Sequence, residues 1–185
     1  MKPFVKFLVL PLLGVLASCS GKAPNPFQDA LGAYILQGQA GCFELYRIEK
    51  IDSTTFRTEF ERRQNVLHRK MEEEISLYGS YTMQGKPRNA ARHWEAIQRT
   101  EAALKGLDSL RTVLEDRMDE IAYYDYVFSA QSVIGEETTN YLNAYASMTP
   151  ALEVIALCSD RRDLHKSGGR AIPGYLQLLG RDAEE

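Results

Sequence analysis

Apolar positions fall into three patterns along this 185-residue chain. From Phe4 to Leu16 they run almost unbroken, interrupted by Lys6, Pro11 and Gly14 and preceded by Lys2. From Phe56 onward they recur at helical spacing. Phe56, Phe60, Leu67, Met71, Ile75 and Tyr78 are separated by steps of 4, 7, 4, 4 and 3, which is one face of a helix. Trp94, Ile97, Leu104, Leu107, Leu110, Leu114, Met118 and Ile121 form a second stripe, with Arg and Glu on the opposite face. Asp52-Ser53-Thr54-Thr55 offers side-chain oxygens to the free amides of a first helical turn. Gly79 to Gly85 and Lys86-Pro87 separate the two helices, and Pro87 suits the first turn of the second. Helices of about 28 and about 34 residues would extend roughly 42 and 51 Å at 1.5 Å per residue. The short link between them predicts an antiparallel hairpin, and the imperfect heptads favour packing within one chain over a long coiled coil.

The third pattern is strand-like. Cys42 to Ile51 mixes β-branched and aromatic residues and reads as a strand, although Leu45, Ile48 and Ile51 also fit a helix. Tyr123 to Ser129 is strand-like by composition. Val133 to Glu137 holds Gly135 and reads as a turn, and Thr138 to Ser147 returns as a second strand that Thr149-Pro150 breaks. Ala151 to Cys158 suits a further strand, although Leu152, Ile155 and Ala156 also fit a helix; 159–170 is a basic loop, and Pro173 to Leu179 a short terminal helix or cap. Asp29 to Leu36 fits either a short helix or an extended lead-in. The order predicts an α+β domain: a long antiparallel helical hairpin packed with a small, mainly antiparallel β-sheet.

The apolar run at the front ends in Leu16-Ala17-Ser18-Cys19. It is too short to span a bilayer, which takes roughly 20 apolar residues, and its basic, apolar and small-residue regions have the layout of an export signal. This segment resembles a bacterial lipoprotein signal peptide with its lipobox. The resemblance covers residues 1–19 only and implies cleavage after Ser18 and a diacylglycerol thioether on Cys19. Ser20, rather than Asp, behind the cysteine implies sorting to the outer membrane, facing the periplasm. The similar tetrapeptide Gln39-Ala40-Gly41-Cys42 lacks an apolar run before it and is not a lipobox. The expected organisation is a signal peptide over 1–18, lipidated Cys19 with a tether through 28, and a single domain over 29–185. The expected partners are the membrane, through the N-terminal lipid, and an envelope protein.

Loss of the leader removes Lys2 and Lys6 from 22 basic residues, leaving 20 against 25 acids. That balance argues against nucleic acid as a partner. Beyond Cys19 only Cys42 and Cys158 remain. In an oxidising compartment they either pair as a disulfide or sit as two buried thiols. There is no Cys-x-x-Cys redox pair and no Gly-x-Ser-x-Gly elbow. His68 and Glu72 share a helical spacing, but no His-Glu-x-x-His occurs, so neither a metal nor another cofactor is expected. The loop Asp160 to Arg170 gathers Arg161, Arg162, Lys166 and Arg170 with two glycines, a candidate anion-binding segment, although its glycine spacing and Lys-Ser placement are not those of a Walker loop. Tyr123, Tyr124, Tyr126 and Phe128 either pack the sheet or offer aromatic platforms to a ligand. The leading expectation is a non-enzymatic, lipid-anchored binding or structural module. A lipid-anchored hydrolase of envelope material and a small-ligand carrier built on the tyrosines are the alternatives.

Overall fold

The computed structural model describes residues 25–180. The leader, Cys19 and the first part of the tether lie outside the described residues. Folded structure begins earlier than the sequence suggests. Helix α1 spans Pro26–Leu36, with Asn25 capping the Phe27 amide and Pro26 in the first turn, so residues 26–28 belong to the domain rather than to the tether.

Strand β1 (Gly41–Thr55) leads directly into α2 (Phe56–Met83), and Thr55 caps that helix by accepting from the Thr58 amide at 3.3 Å. A left-handed Gly85 turns the chain, and Pro87 opens α3 (Pro87–Val113). At 28 and 27 residues, the helices reach about 42 and 40 Å. α3 stops eight residues short of the expected Ile121. The chain instead makes a 3-10 turn at Glu115–Arg117 and feeds β2 (Ile121–Ile134). The reason lies at the start of α2. The carbonyls of Glu120 and Met118 accept from the Phe56 and Arg57 amides at 3.1 and 2.8 Å, so an extended lead-in to β2 satisfies donors that a longer α3 would leave bare.

Strands β2, β3 (Glu137–Met148) and β4 (Val154–Cys158) follow as an antiparallel meander, and the sheet order is β1-β2-β3-β4. Ile134 pairs with Glu137 across a two-residue turn whose first position is Gly135 at φ 61°. β1 is an edge strand. Exposed Glu44, Arg47, Glu49 and Lys50 and three register shifts along it discourage pairing with another chain. The segment expected as a loop after β4 holds two short turns, α4 (Arg161–Leu164) and a 3-10 turn at Gly168–Ala171, followed by α5 (Tyr175–Leu178).

The sheet divides two cores. On one face α1 packs Leu31 against Phe43, Tyr126, Phe128, Ala146 and Met148. On the other, Tyr123 and Ile155 meet Phe56 and Phe60 of α2, Leu107 of α3, and Ile172 and Tyr175 of the C-terminal segment. Alternation along β2 therefore sends Tyr123 to the hairpin and Tyr126 and Phe128 to α1.

No disulfide joins Cys42 to Cys158. They stand on the two outer strands. Cys42 lies opposite Val133 and through it Thr138, whereas Cys158 lies opposite Tyr145. Three strand spacings and a seven-residue offset put them about 14 Å apart across the sheet and about 23 Å along it. A bridge needs Cα atoms within about 7 Å.

Candidate functional site

The four cations grouped by sequence do not form one site. Arg161 and Arg162 sit on α4 and turn to local acids. Arg161 reaches Asp52 on β1 at 3.3 Å, and Arg162 pairs with Asp160 at 2.6 Å. The Arg162 guanidinium bonded to it holds the Asp160 carboxyl down to about 2. Lys166 and Arg170 lie further on, where the chain passes beside α2, and there they line a cleft of about 290 Å³ with Arg63 and Lys70 of α2. Val66, Leu67, Tyr175, Leu176 and Leu179 supply its apolar surface.

A charge cluster invisible in the sequence builds the wall of this cleft. Glu59, one turn into α2, is completely buried. Arg62 Nη1 donates to its Oε2 at 2.7 Å, and the Tyr123 hydroxyl donates to the same oxygen at 2.8 Å. Arg63 Nε lies 2.7 Å from Oε1, an ion pair set off the N–H axis rather than an aligned hydrogen bond. The rest of the Arg63 guanidinium donates to the carbonyls of His165 and Lys166, clamping the C-terminal segment to α2. Gly168 is the residue that lets this segment approach. A Cβ there would stand 2.6 Å from Glu59 Oε1. Burial, with the Glu59 charge adding to it, pushes the Tyr123 hydroxyl up to about 12, so the ring stays a neutral donor.

The far end of the hairpin has a different character. α2 buries Phe56, Glu59, Phe60, Arg63 and Leu67, and no residue beyond Leu67. Past that point the helices hold each other through a ladder of rings. Tyr78 meets Trp94 with centroids 5.5 Å apart, Tyr81 stacks on His93 at 5.2 Å, and His93 Nδ1 lies 2.6 Å from Glu74 Oε2. Beside this ladder is a cavity of about 390 Å³ lined by Tyr78, Thr82, Lys86, Pro87, Ala90 and Trp94. Met83 is 86% exposed, Ile75 50% and Trp94 49%. Residues 75–94 carry no carboxylate side chain, while Lys86, Arg88 and Arg92 give the tip positive charge.

Tyr123, Tyr126 and Phe128 are buried in the two cores and Tyr124 packs beside Tyr126, so none of these rings lines the cavities at the tip or beside the C-terminal segment. Cys158 donates to the Asp160 carbonyl at 3.1 Å. Burial pushes its thiol up and the nearby Asp163 charge adds to that, which disfavours a nucleophilic thiolate. Asp125, itself buried, accepts from the Ser147 hydroxyl at 2.5 Å. Among the described residues no group of His, Cys, Asp and Glu is placed to hold a metal ion, and no helix is long and apolar enough to cross a membrane. No protein family, curated protein or solved structure matches the chain.

Proposed function

We propose that this protein is a lipid-anchored, periplasm-facing module of the bacterial envelope, held at the outer membrane through Cys19, that presents the tip of its helical hairpin to an envelope protein. The observation that carries the reading is the bare apolar end of the α2–α3 hairpin. Ile75, Met83 and Trp94 are each about half exposed or more, and Trp94 lines a cavity with Tyr78. Large exposed apolar side chains gathered at one end of a domain mark an interaction site. Aromatic residues in a pocket are the usual anchors of such sites. The lipobox-like leader supports the address, and about 24 Å of α2 beyond Leu67 supports reach away from the sheet.

Two experiments test it. Cys19→Ala removes the acyl acceptor and is expected to abolish lipid labelling; unchanged labelling refutes the anchor. A photo-crosslinking residue at position 83 is expected to give a discrete envelope-protein adduct that Trp94→Ala weakens. The same residue at exposed position 142 on β3 serves as the control. Equal adducts from both positions would remove the tip as the docking surface.

A further inference from the structure

We propose that the cleft between α2 and the C-terminal segment binds a phosphate-bearing, single-chain amphiphile. The inference does not depend on the hairpin tip. One carboxylate, Glu59, is matched by two arginines, Arg62 and Arg63, so the cluster keeps one surplus positive charge. The Arg63 side chain is 7% exposed, and a charge held in such surroundings acts more strongly than one in water. Its guanidinium is fixed by Glu59 and by the carbonyls of His165 and Lys166, so it forms a rigid positive wall.

Lys70, Lys166 and Arg170 also line the cleft, and among the described residues no carboxylate does. Lys166 pairs with Asp163 on α4 at 2.6 Å and also feels the Asp160 charge. The Ser167 hydroxyl is the neutral polar group in the lining. A neutral or cationic ligand would leave this field unused, whereas a phosphate takes charge-assisted hydrogen bonds from Lys and Arg together.

The apolar part of the ligand follows from the rest of the lining. Val66, Leu67, Leu176 and Leu179 form a surface too large for phosphate alone. A second cavity of about 540 Å³ shares Leu67, Lys70 and Leu179 with the first. It continues between α2 and α3 along Ala96, Ala103 and Leu178, and Glu74, Arg99, Thr100 and Gln177 make the rest of its lining polar. The acyl chain is therefore assigned to the Val66, Leu67, Leu176 and Leu179 surface beside the cationic head site. Leu67 borders both cavities and is itself buried.

Titration calorimetry on the purified protein tests this with three ligands, all below the concentration at which they form micelles: lysophosphatidate, inorganic phosphate and the uncharged monoacylglycerol of the same chain length. Lysophosphatidate is expected to bind best and to lose affinity as salt rises. Lys70→Gln with Lys166→Gln should weaken it about a hundredfold, roughly tenfold for each lost charge-assisted bond. Asp163→Asn, which releases Lys166, should tighten it. Phosphate binding as tight as lysophosphatidate overturns the amphiphile and leaves a free-phosphate site. Monoacylglycerol binding equally well, or lysophosphatidate binding that the double variant leaves unchanged, overturns the proposal. Binding to the tip, read by crosslinking at position 83, should be unaffected by the double variant.

Discussion

The two ends of α2 obey the same sequence rule and meet different surroundings. Phe60 and Ile75 lie on one helical stripe, yet Phe60 is 2% exposed and Ile75 50%. At the sheet end the stripe is covered by β2, β4 and the C-terminal segment, and a whole charge cluster is buried with it. At the tip the helices have only each other. Two antiparallel helices can bury one seam, and the flanks of the stripe stay in water. An amphipathic pattern thus records that a surface is apolar, not whether the same chain covers it. The sheet end has the density of a core, and the tip has the character of an unfinished interface.

The largest effect should come from breaking the cluster at the base. Glu59→Ala would leave Arg62 and Arg63 without their buried acceptor and open a gap under Gly168. Removing one partner of a buried ionic group costs about 3–5 kcal/mol. Ile75→Ala at the exposed end should stay within about 0.5 kcal/mol. Urea unfolding with unchanged slope would read both. Similar losses at the two positions would mean that the tip is as well packed as the base, and the contrast would fail.

The hairpin and the meander are legible in the sequence because each rests on local periodicity and turn residues. Pro87 and Gly135 stand where punctuation of that kind places them. What stays hidden depends on contacts across the chain. The end of α3 is set by donors at Phe56 and Arg57, sixty residues earlier in a different element. Glu59 looks like an ordinary first-turn acid that complements a helix dipole, and only the approach of the Gly168 segment and Tyr123 buries it. The four cations of the candidate anion loop do not stay together. Lys166 and Arg170 do face a cleft, but Asp52 and Asp160 draw Arg161 and Arg162 away, and Arg63 and Lys70 come from a helix about a hundred residues distant. The pairing of Cys42 with Cys158 cannot be judged without strand order, since both lie on strands but at opposite edges.

Tyr123 sharpens the comparison through pH. Its native value, raised to about 12, lies above the value of about 10 expected in the unfolded chain. The unfolded state therefore loses the proton first as pH rises. The contribution is fully present below pH 10 and is lost as pH climbs toward 12. Tyr123→Phe removes the hydrogen bonds to Glu59 and Arg62 and should lower stability at pH 7 by about 1–2 kcal/mol. It should also flatten the decline between pH 10 and 12 relative to the unaltered protein. A decline that persists unchanged in the variant would assign the alkaline loss to other groups.

The smallest effect belongs to the tip. Trp94 keeps one ring contact, with Tyr78, so Trp94→Ala should cost about 1 kcal/mol, the scale of an aromatic pair. Met83 extends into water, and Met83→Ser should change stability by less than about 0.5 kcal/mol. Thermal unfolding at two protein concentrations separates the two reasons a larger loss could arise. If Met83 is bare in the isolated protein, the melting temperature is the same at both concentrations and the substitution barely moves it. If a second copy covers the tip, the melting temperature rises with concentration by mass action and Met83→Ser removes that rise. The second outcome would turn the unfinished interface into a self-association surface, and the base would then be the only part of the molecule whose stability is independent of what the hairpin meets.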